Sequence, residues 1–266
     1  MRSRSTGRWC NRESRRAPGF VPTIAPGLRG AIRGPADETV EQTVSDLRGV
    51  LRAAGEKGPY LLVGASIGGI FIRAYQRSFP DEVAGLVFTN SANRVGRVVK
   101  GKGGLLWGLT EDEIRSTFRL PESVKGSAPA EEGEPFDRLP PALRAVRLRL
   151  DVRLWERWDP SKEGPAAMLS WRKEFLREFD ETEAGREHPL GKLPVIVVSS
   201  DPVAKESERQ SRDGAAARLD VLSSNSAHIT ATGSGHEIHL YQPEAVVQGV
   251  MRGVSAVRSE VPLSGR

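Results

Sequence analysis

A short apolar run that passes into a glycine-rich segment and then a helical pattern limits most strongly what this chain can fold into. Residues 60–63 read Tyr-Leu-Leu-Val, too short for a helix and continuous in the way of a strand buried on both faces. After residues 64–69, apolar side chains return at helical spacing until Phe79-Pro80 ends the helix. A second apolar run follows over residues 83–88. Strand, helix and strand in such short succession predict a parallel βαβ unit and therefore an α/β fold.

The segment between the first strand and the helix contains Gly64-x-Ser66-x-Gly68, the pattern of a nucleophile elbow. In an elbow, a serine on a tight strand-to-helix turn has strained backbone geometry, and its hydroxyl points out of the sheet. The residues two before and two after the serine must be small because the chain folds back against itself. The pattern alone is weak, but a strand directly before it and a helix directly after it supply the expected context. We therefore predict that Ser66 is a nucleophile.

A serine hydroxyl needs a base to remove its proton, and the sequence offers four histidines. His236 lies in a glycine-rich loop, Gly233-Ser234-Gly235-His236, just after a predicted strand, where a side chain can reach across the ends of the sheet. We predict that His236 is the base. The other three have plainer interpretations: His188 is solvated, His228 is a core residue of a strand, and His239 packs near the last helix.

The third member of such a site is a carboxylate that holds the tautomer of the imidazole and stabilises its charged form. Asp201 follows a predicted strand, at the carboxyl end of the sheet. The order Ser66, Asp201, His236 is nucleophile, acid, base, the order that this architecture uses. Asp213 and Asp220 are alternatives within or near a helical stretch. A purely structural Asp201, capping the following turn, is also open.

The other elements follow from the same periodicities. A helix is predicted over about residues 39–54, with Thr39 and Gln42 at capping-box spacing. Further predictions are buried strands over 194–198 and 228–232, a polar helix-like stretch over 204–222, and a final helix that opens at Pro243. In the final helix the residues expected to face the sheet are Ala245, Val246, Val250 and Val254.

Residues 96–189 lose the strand-helix rhythm. They contain three amphipathic stretches, near residues 110–118, 140–157 and 165–180, with four of the five tryptophans. The middle stretch fits both periods: alternate apolar residues suggest a strand, whereas Leu and Arg are good helix formers and a helical stripe is also present. We predict a helix there.

Two segments in combination resemble the α/β-hydrolase family. Residues 59–69 and 79–87 look like its strand-elbow-helix-strand segment, and residues 235–244 look like its catalytic-histidine loop. The resemblance runs from about residue 37 to about residue 257 and implies a mostly parallel sheet flanked by helices. It also implies a helical lid that shapes the acyl or alcohol pocket, and an oxyanion hole that includes the main-chain N–H of Ile67, the residue after the nucleophile.

Composition, periodicity and the resemblance together divide the chain into five predicted parts. They are a disordered arginine-rich segment (1–36), a first core part (37–95), the lid insertion (96–189), a second core part (190–258) and a tail (259–266).

The sequence departs from the family at its beginning. Family members place several strands before the elbow, and a His-Gly type loop after one of them supplies the second oxyanion-hole amide. Here no histidine precedes His188, and no strand-like run precedes Tyr60. We therefore expect the front part of the sheet and half of the oxyanion hole to be missing, and the chain to be a fragment with a misplaced start. Such a gap leaves residues 60–63 as an apolar edge strand, which favours aggregation.

The charge of the chain is uneven. Of the net +5, residues 1–35 contribute +7, from eight arginines against Glu13, so the remainder carries −2. This argues against a basic nucleic-acid-binding face on the folded domain. Residues 17–22 are broken by proline and glycine, so they lack the apolar region that a signal peptide needs. We expect a cytoplasmic protein.

Composition excludes several other classes. No run of eighteen apolar residues occurs, which excludes a transmembrane helix. One cysteine excludes a disulfide framework, and four histidines give no Cys/His zinc pattern. Together with the motifs, the sequence therefore predicts a serine hydrolase that cleaves a carboxylic ester or related acyl substrate. We expect the substrate to be a small molecule, and we expect the enzyme to need no metal and no organic cofactor. The alternative is a non-catalytic binding protein of the same fold, and the oligomeric state is left open.

Overall fold

The structure is a computed structural model, and it describes residues 39–91, 134–157, 169–171, 173–174, 177, 188–201, 222–259 and 262–263. For residues 150–157 and for Asp201 it describes the main chain alone. The arginine-rich segment, the amphipathic stretch near 110–118 and nearly all of the polar helix-like stretch over 204–222 lie outside the described residues. Those expectations stay predictions.

Apart from the short helix Ile238–Tyr241, which was not predicted, the described helices and strands occur where the hydrophobic periodicity predicts them. In chain order they are α1 (Val40–Ala53), β1 (Tyr60–Ala65), α2 (Gly68–Ser78), β2 (Val83–Thr89), α3 (Pro141–Arg157), β3 (Val195–Asp201), β4 (Ser226–Thr232), α4 (Ile238–Tyr241) and α5 (Pro243–Ser259). The ambiguous middle stretch is helical, as α3. Thr39 caps α1 as the capping-box spacing predicts, because its hydroxyl accepts a hydrogen bond from the N–H of Gln42 at 3.1 Å.

The four described strands form one sheet in the order β1-β2-β3-β4, and all neighbours are parallel. The two central strands are almost wholly shielded from solvent, as continuous apolar runs require in a sheet that is covered on both faces. The fully buried members include Leu86, Val87, Phe88, Val195, Ile196 and Val198. The α/β fold with a parallel sheet flanked by helices is therefore confirmed.

Among the described residues, β1 lies at one edge of the sheet and pairs with β2 alone. Leu62 and Gly64 are buried there, whereas Val63 keeps 39% of its surface exposed. Within the described part of the chain, the edge strand therefore presents an apolar side chain beside main-chain groups that no other described strand pairs with.

Helix α5 packs on the sheet through a set of residues that only partly matches the predicted one. Its buried positions are Val246, Gly249, Gly253 and Ala256, whereas Ala245, Val250 and Val254 are only half-buried. A methyl group at Gly249 would lie 2.7 Å from Cγ2 of Val198, and one at Gly253 would lie 3.0 Å from Cδ2 of Leu61. The prediction of the buried face was wrong in part because two glycines, which carry no hydrophobic signal, make the closest approach.

By the spatial proximity of its main-chain atoms, the protein separates into two compact units. One comprises Met1–Ala54 and Val98–Lys173 and contains α1 and α3; there the N–H of Val40 donates to Oγ of Ser170 at 2.9 Å. The other comprises Gly55–Arg97 and Glu174–Arg266 and contains the sheet with α2, α4 and α5. No helix within the described residues combines the length and the apolar character needed to cross a membrane.

Candidate active site

Ser66 lies on the sharp turn that joins β1 to α2. Its φ angle is +51°, in the left-handed region, which costs a residue with a side chain about 1–3 kcal/mol. Neighbouring bonds fix this conformation: the N–H of Ser66 donates to the carbonyl of Thr89 at 3.1 Å, and the carbonyl of Ser66 accepts from the hydroxyl of Ser91 at 2.9 Å. The serine is therefore held in the strained geometry that a nucleophile elbow uses.

The glycines around Ser66 have different roles. A Cβ at Gly64 would lie 2.5 Å from the carbonyl oxygen of Gly68, a main-chain atom that cannot move aside cheaply. A Cβ at Gly68 would meet nothing within 4 Å, whereas one at Gly69 would collide with the side chain of Ser91. The expectation was that the positions two before and two after Ser66 both require a small residue. It therefore holds for Gly64 and not for Gly68. On the helix side, Gly69 is the residue that has no room for a side chain.

His236 reaches Ser66 from the loop after β4. Its Nε2 lies 3.0 Å from Oγ of Ser66, within hydrogen-bond distance. The loop begins with Gly233 at φ +74°, and a Cβ at Gly235 would lie 2.7 Å from the ring of Tyr241. Both glycines are needed for the turn that carries the imidazole over the carboxyl ends of the strands. The structure thus brings together the serine and the histidine that the sequence singled out.

The other three histidines lie elsewhere in the described chain. His188 is exposed at φ +57°, and Nε2 of His239 lies 3.5 Å from the Glu237 carboxylate. His228 is exposed rather than buried, and its Nε2 lies 2.7 Å from Oγ of Ser199. The prediction of a core histidine was wrong for His228 because its side chain projects from the exposed face of β4. Ser199 and His228 form a second serine-histidine pair, without the left-handed turn of Ser66.

Asn90 is a site residue that the sequence analysis missed. It directly follows β2 and has φ +42°. Its Nδ2 lies 3.0 Å from Nδ1 of His236 and 3.1 Å from the main-chain oxygen of His236. Its Oδ1 accepts a hydrogen bond from the hydroxyl of Ser200 at 3.1 Å. The available signal was its position: a polar residue at the carboxyl end of the strand that pairs with the elbow strand.

The predicted acid, Asp201, is the last residue of β3, and its main chain pairs with Thr232 in β4. It therefore lies at the same end of the sheet as the loop that carries His236. Its side chain lies outside the described atoms, as do Asp213 and Asp220 entirely. The assignment of the acid stays a prediction.

Ile67 occupies the cap position before α2, with φ −59° and ψ −24°. The first N–H groups of a helix have no acceptor within the helix, and they carry the positive end of its dipole. The amide of Ile67 is thus of the kind that can stabilise an oxyanion beside Ser66. Among the described residues, no three side chains of His, Cys, Asp and Glu gather as the ligands of a metal ion would.

Comparison with known proteins bears on the family and the fold. A model that represents the "Alpha/beta hydrolase family" matches residues 9–249 of the chain. Among curated proteins no match was found.

Three solved structures illustrate the structural likeness. An esterase from Exiguobacterium antarcticum is 18% identical, with a TM-score of 0.60 over 97% of this chain and 90% of its own. A thermophilic esterase from Thermogutta terrifontis is 19% identical, with a TM-score of 0.56 over 88% and 78%. A bromoperoxidase from Bacillus anthracis is 15% identical, with a TM-score of 0.52 over 87% and 79%. At these identities the likeness shows the fold alone.

Proposed function

The chain belongs to the alpha/beta hydrolase family, and on that premise we propose that it is a serine hydrolase that cleaves a carboxylic ester or related acyl substrate. Ser66 is the nucleophile and His236 is the base. Asp201, by its place at the end of β3, is the acid that orients the base in the reactive state. The amide of Ile67 is one donor of the oxyanion hole.

The observation that carries this proposal is the 3.0 Å distance between Oγ of Ser66 and Nε2 of His236. A hydrogen bond between nucleophile and base is the geometric requirement for general-base activation of a serine. The left-handed turn at Ser66 supports it independently, because such strain persists where the surrounding structure enforces it and is common at active sites. Esterases are among the structures that share the fold.

The reaction proceeds in two steps. His236 takes the proton of Ser66 as Oγ attacks the acyl carbonyl, and the Ile67 amide donates to the oxygen that becomes negative. His236 then protonates the departing alcohol, which leaves the acyl group on Ser66. A water molecule, deprotonated by His236, hydrolyses this ester and returns the free serine.

One observation favours a second candidate, a binding protein of the same fold without turnover. Among the described side chains, the partner of Nδ1 of His236 is the amide of Asn90 rather than a carboxylate. An amide in that place supports the charged imidazolium less well than a carboxylate does.

Intact mass after incubation with a fluorophosphonate separates the two candidates. We expect a single adduct on the parent protein and none on Ser66→Ala. Ser199→Ala is the matched control, because Ser199 also contacts a histidine, at 2.7 Å, but is part of a regular strand. We expect it to be labelled like the parent. Absence of an adduct on folded parent protein would exclude the serine hydrolase and leave the binding protein.

A further inference from the structure

The amide of Asn90 makes three contacts around the base of the candidate site. Its nitrogen faces both Nδ1 and the main-chain oxygen of His236, and its oxygen faces Ser200. We propose that Asn90 is a positioning residue that holds the proton of His236 on Nε2 and so keeps Ser66 in a resting state of low reactivity. This inference rests on the proposed function, in which Ser66 and His236 are nucleophile and base.

The position of Asn90 follows from the sheet register. Ala65 of β1 pairs with Thr89 of β2, so the residues that follow them, Ser66 and Asn90, emerge side by side. The ladder between β2 and β3 continues one residue past the end of β2, because the N–H of Asn90 donates to the carbonyl of Val198 at 2.7 Å. Asn tolerates the left-handed conformation better than most residues. Its side chain is thereby anchored next to the nucleophile, at the end of a rigid element.

One neighbour of the amide, a main-chain carbonyl, fixes its orientation. The oxygen of His236 is a carbonyl, so it can only accept, and the amide atom 3.1 Å from it must therefore be the NH₂ group. If the amide were turned round, two acceptor oxygens would face each other at that place. The buried Ser200 hydroxyl donates to Oδ1 on the other side. The His236 carbonyl therefore decides the orientation, and the Ser200 hydroxyl, which can donate or accept, is compatible with it.

This orientation determines the tautomer of the imidazole. The NH₂ group is only a donor, so Nδ1, 3.0 Å away, must be the acceptor when the imidazole is neutral. The ring proton then resides on Nε2 and points to Oγ of Ser66. A protonated Nε2 cannot take the serine proton. Attack requires the proton to be on Nδ1 instead, with Nε2 free to accept from Ser66. Asp201 can act on Nδ1 only after the Asn90 amide has released it.

The substitution Asn90→Asp exchanges this donor for an acceptor. A carboxylate at residue 90 accepts from Nδ1–H, and the Ser200 hydroxyl still donates to its second oxygen. In Ser-His-Asp proteases the reverse change, Asp to Asn, keeps the geometry and lowers kcat by about 10⁴ because it selects the wrong tautomer. We therefore expect N90D to label with a fluorophosphonate faster than the parent, by roughly 10- to 10⁴-fold.

The tautomer is measured directly by ¹⁵N NMR of the ring nitrogens in protein labelled with [¹⁵N]histidine. The His236 signals are identified by their loss in His236→Gln, and spectra are recorded where the ring is neutral. We expect the proton on Nε2 in the parent and on Nδ1 in N90D. A parent proton on Nδ1, or an N90D spectrum with the proton still on Nε2, overturns the inference.

Asn225→Asp is the matched control. This substitution adds the same charge. In the parent protein the side-chain amide of Asn225 also donates to a main-chain carbonyl, that of Lys192, at 3.2 Å. It precedes β4, at the opposite end of the sheet from Asn90. We expect N225D to keep the parent tautomer and the parent labelling rate. If the parent is labelled but the labelling rate of N90D is no higher than that of N225D, the role of Asn90 is contradicted. If the tautomer reverses in N90D but neither protein is labelled, Asn90 does set the tautomer of His236, whereas the proposed hydrolase fails and with it the resting state of Ser66.

Discussion

Ser66 and Asn90 are two residues of the candidate site with left-handed backbone, at φ +51° and +42°. Each directly follows a strand of a parallel pair. If the strand continued in extended geometry, the side chain of that residue would point to one face of the sheet. A left-handed residue instead turns the chain away and leaves the side chain at the strand end, where His236 reaches it. The site is thus assembled from conformations that local propensity disfavours.

The first prediction concerns the space around Ser66. Gly64→Ala should lower the free energy of unfolding by roughly 1–3 kcal/mol, as overpacking does, because the new methyl group would lie 2.5 Å from a main-chain oxygen. It should also abolish fluorophosphonate labelling, since the turn must shift to admit the methyl group. Urea denaturation and intact mass measure the two effects.

Gly68→Ala is the matched control for this prediction. Its methyl group meets nothing within 4 Å, so its stability should match or slightly exceed that of the parent, because alanine is the better helix former. Equal stabilities for the two variants would contradict the steric account of the elbow.

At the level of elements, α5 packs closely against the sheet. Two glycines one helical turn apart, Gly249 and Gly253, let the helix main chain approach Val198, Ile196 and Leu61. The same face buries Val246 and Ala256. The helix is thus held by main-chain proximity as well as by apolar side chains, and a single added methyl group should be felt there.

A second prediction compares the same substitution in two helices. Gly249→Ala should destabilise the protein by about 1–3 kcal/mol, because its methyl group would lie 2.7 Å from Cγ2 of a β-branched valine. Gly49→Ala in α1, where a methyl group meets nothing within 4 Å, should stabilise it by about 0.5–1 kcal/mol through helix propensity. Thermal unfolding monitored by circular dichroism gives both shifts. Shifts of the same sign would be evidence against the close packing of α5.

At the scale of the whole molecule, the distribution of charge along the chain is uneven. The net +5 divides into +7 for residues 1–35 and −2 for the remainder. A field of several kT around a basic stretch attracts polyanions whether or not a specific site exists. Binding of nucleic acid by the full chain would therefore say nothing about the sheet-containing unit.

A third prediction follows from that division. Without residues 1–36 the chain should pass through a heparin column at about 0.1 M salt, where charges more than about 10 Å apart are largely screened. Any retention of the full chain should weaken steeply as salt rises, as counterion release requires. Retention of the shortened chain at that salt concentration would reveal a basic face that the sequence does not predict.

Most strands and helices of the described chain could be predicted from their hydrophobic period. Tyr60–Val63 and Val83–Phe88 predicted strands because continuous apolar runs of that length fit a sheet covered on both faces. The stretch that became α3 fitted two periods, and helix propensity decided it. The buried face of α5 was partly missed, because a glycine that packs closely leaves no apolar signal in the sequence.

The sequence by itself determined the candidate nucleophile and base, because an elbow and a glycine-rich histidine loop are local patterns with local steric causes. Their 3.0 Å contact joins residues 170 positions apart, so it depends on strand order and register. The role of Asn90 depends on the tertiary structure entirely. Whether an amide or a carboxylate faces Nδ1 of His236 is decided by which strand ends lie side by side, and no local pattern encodes that.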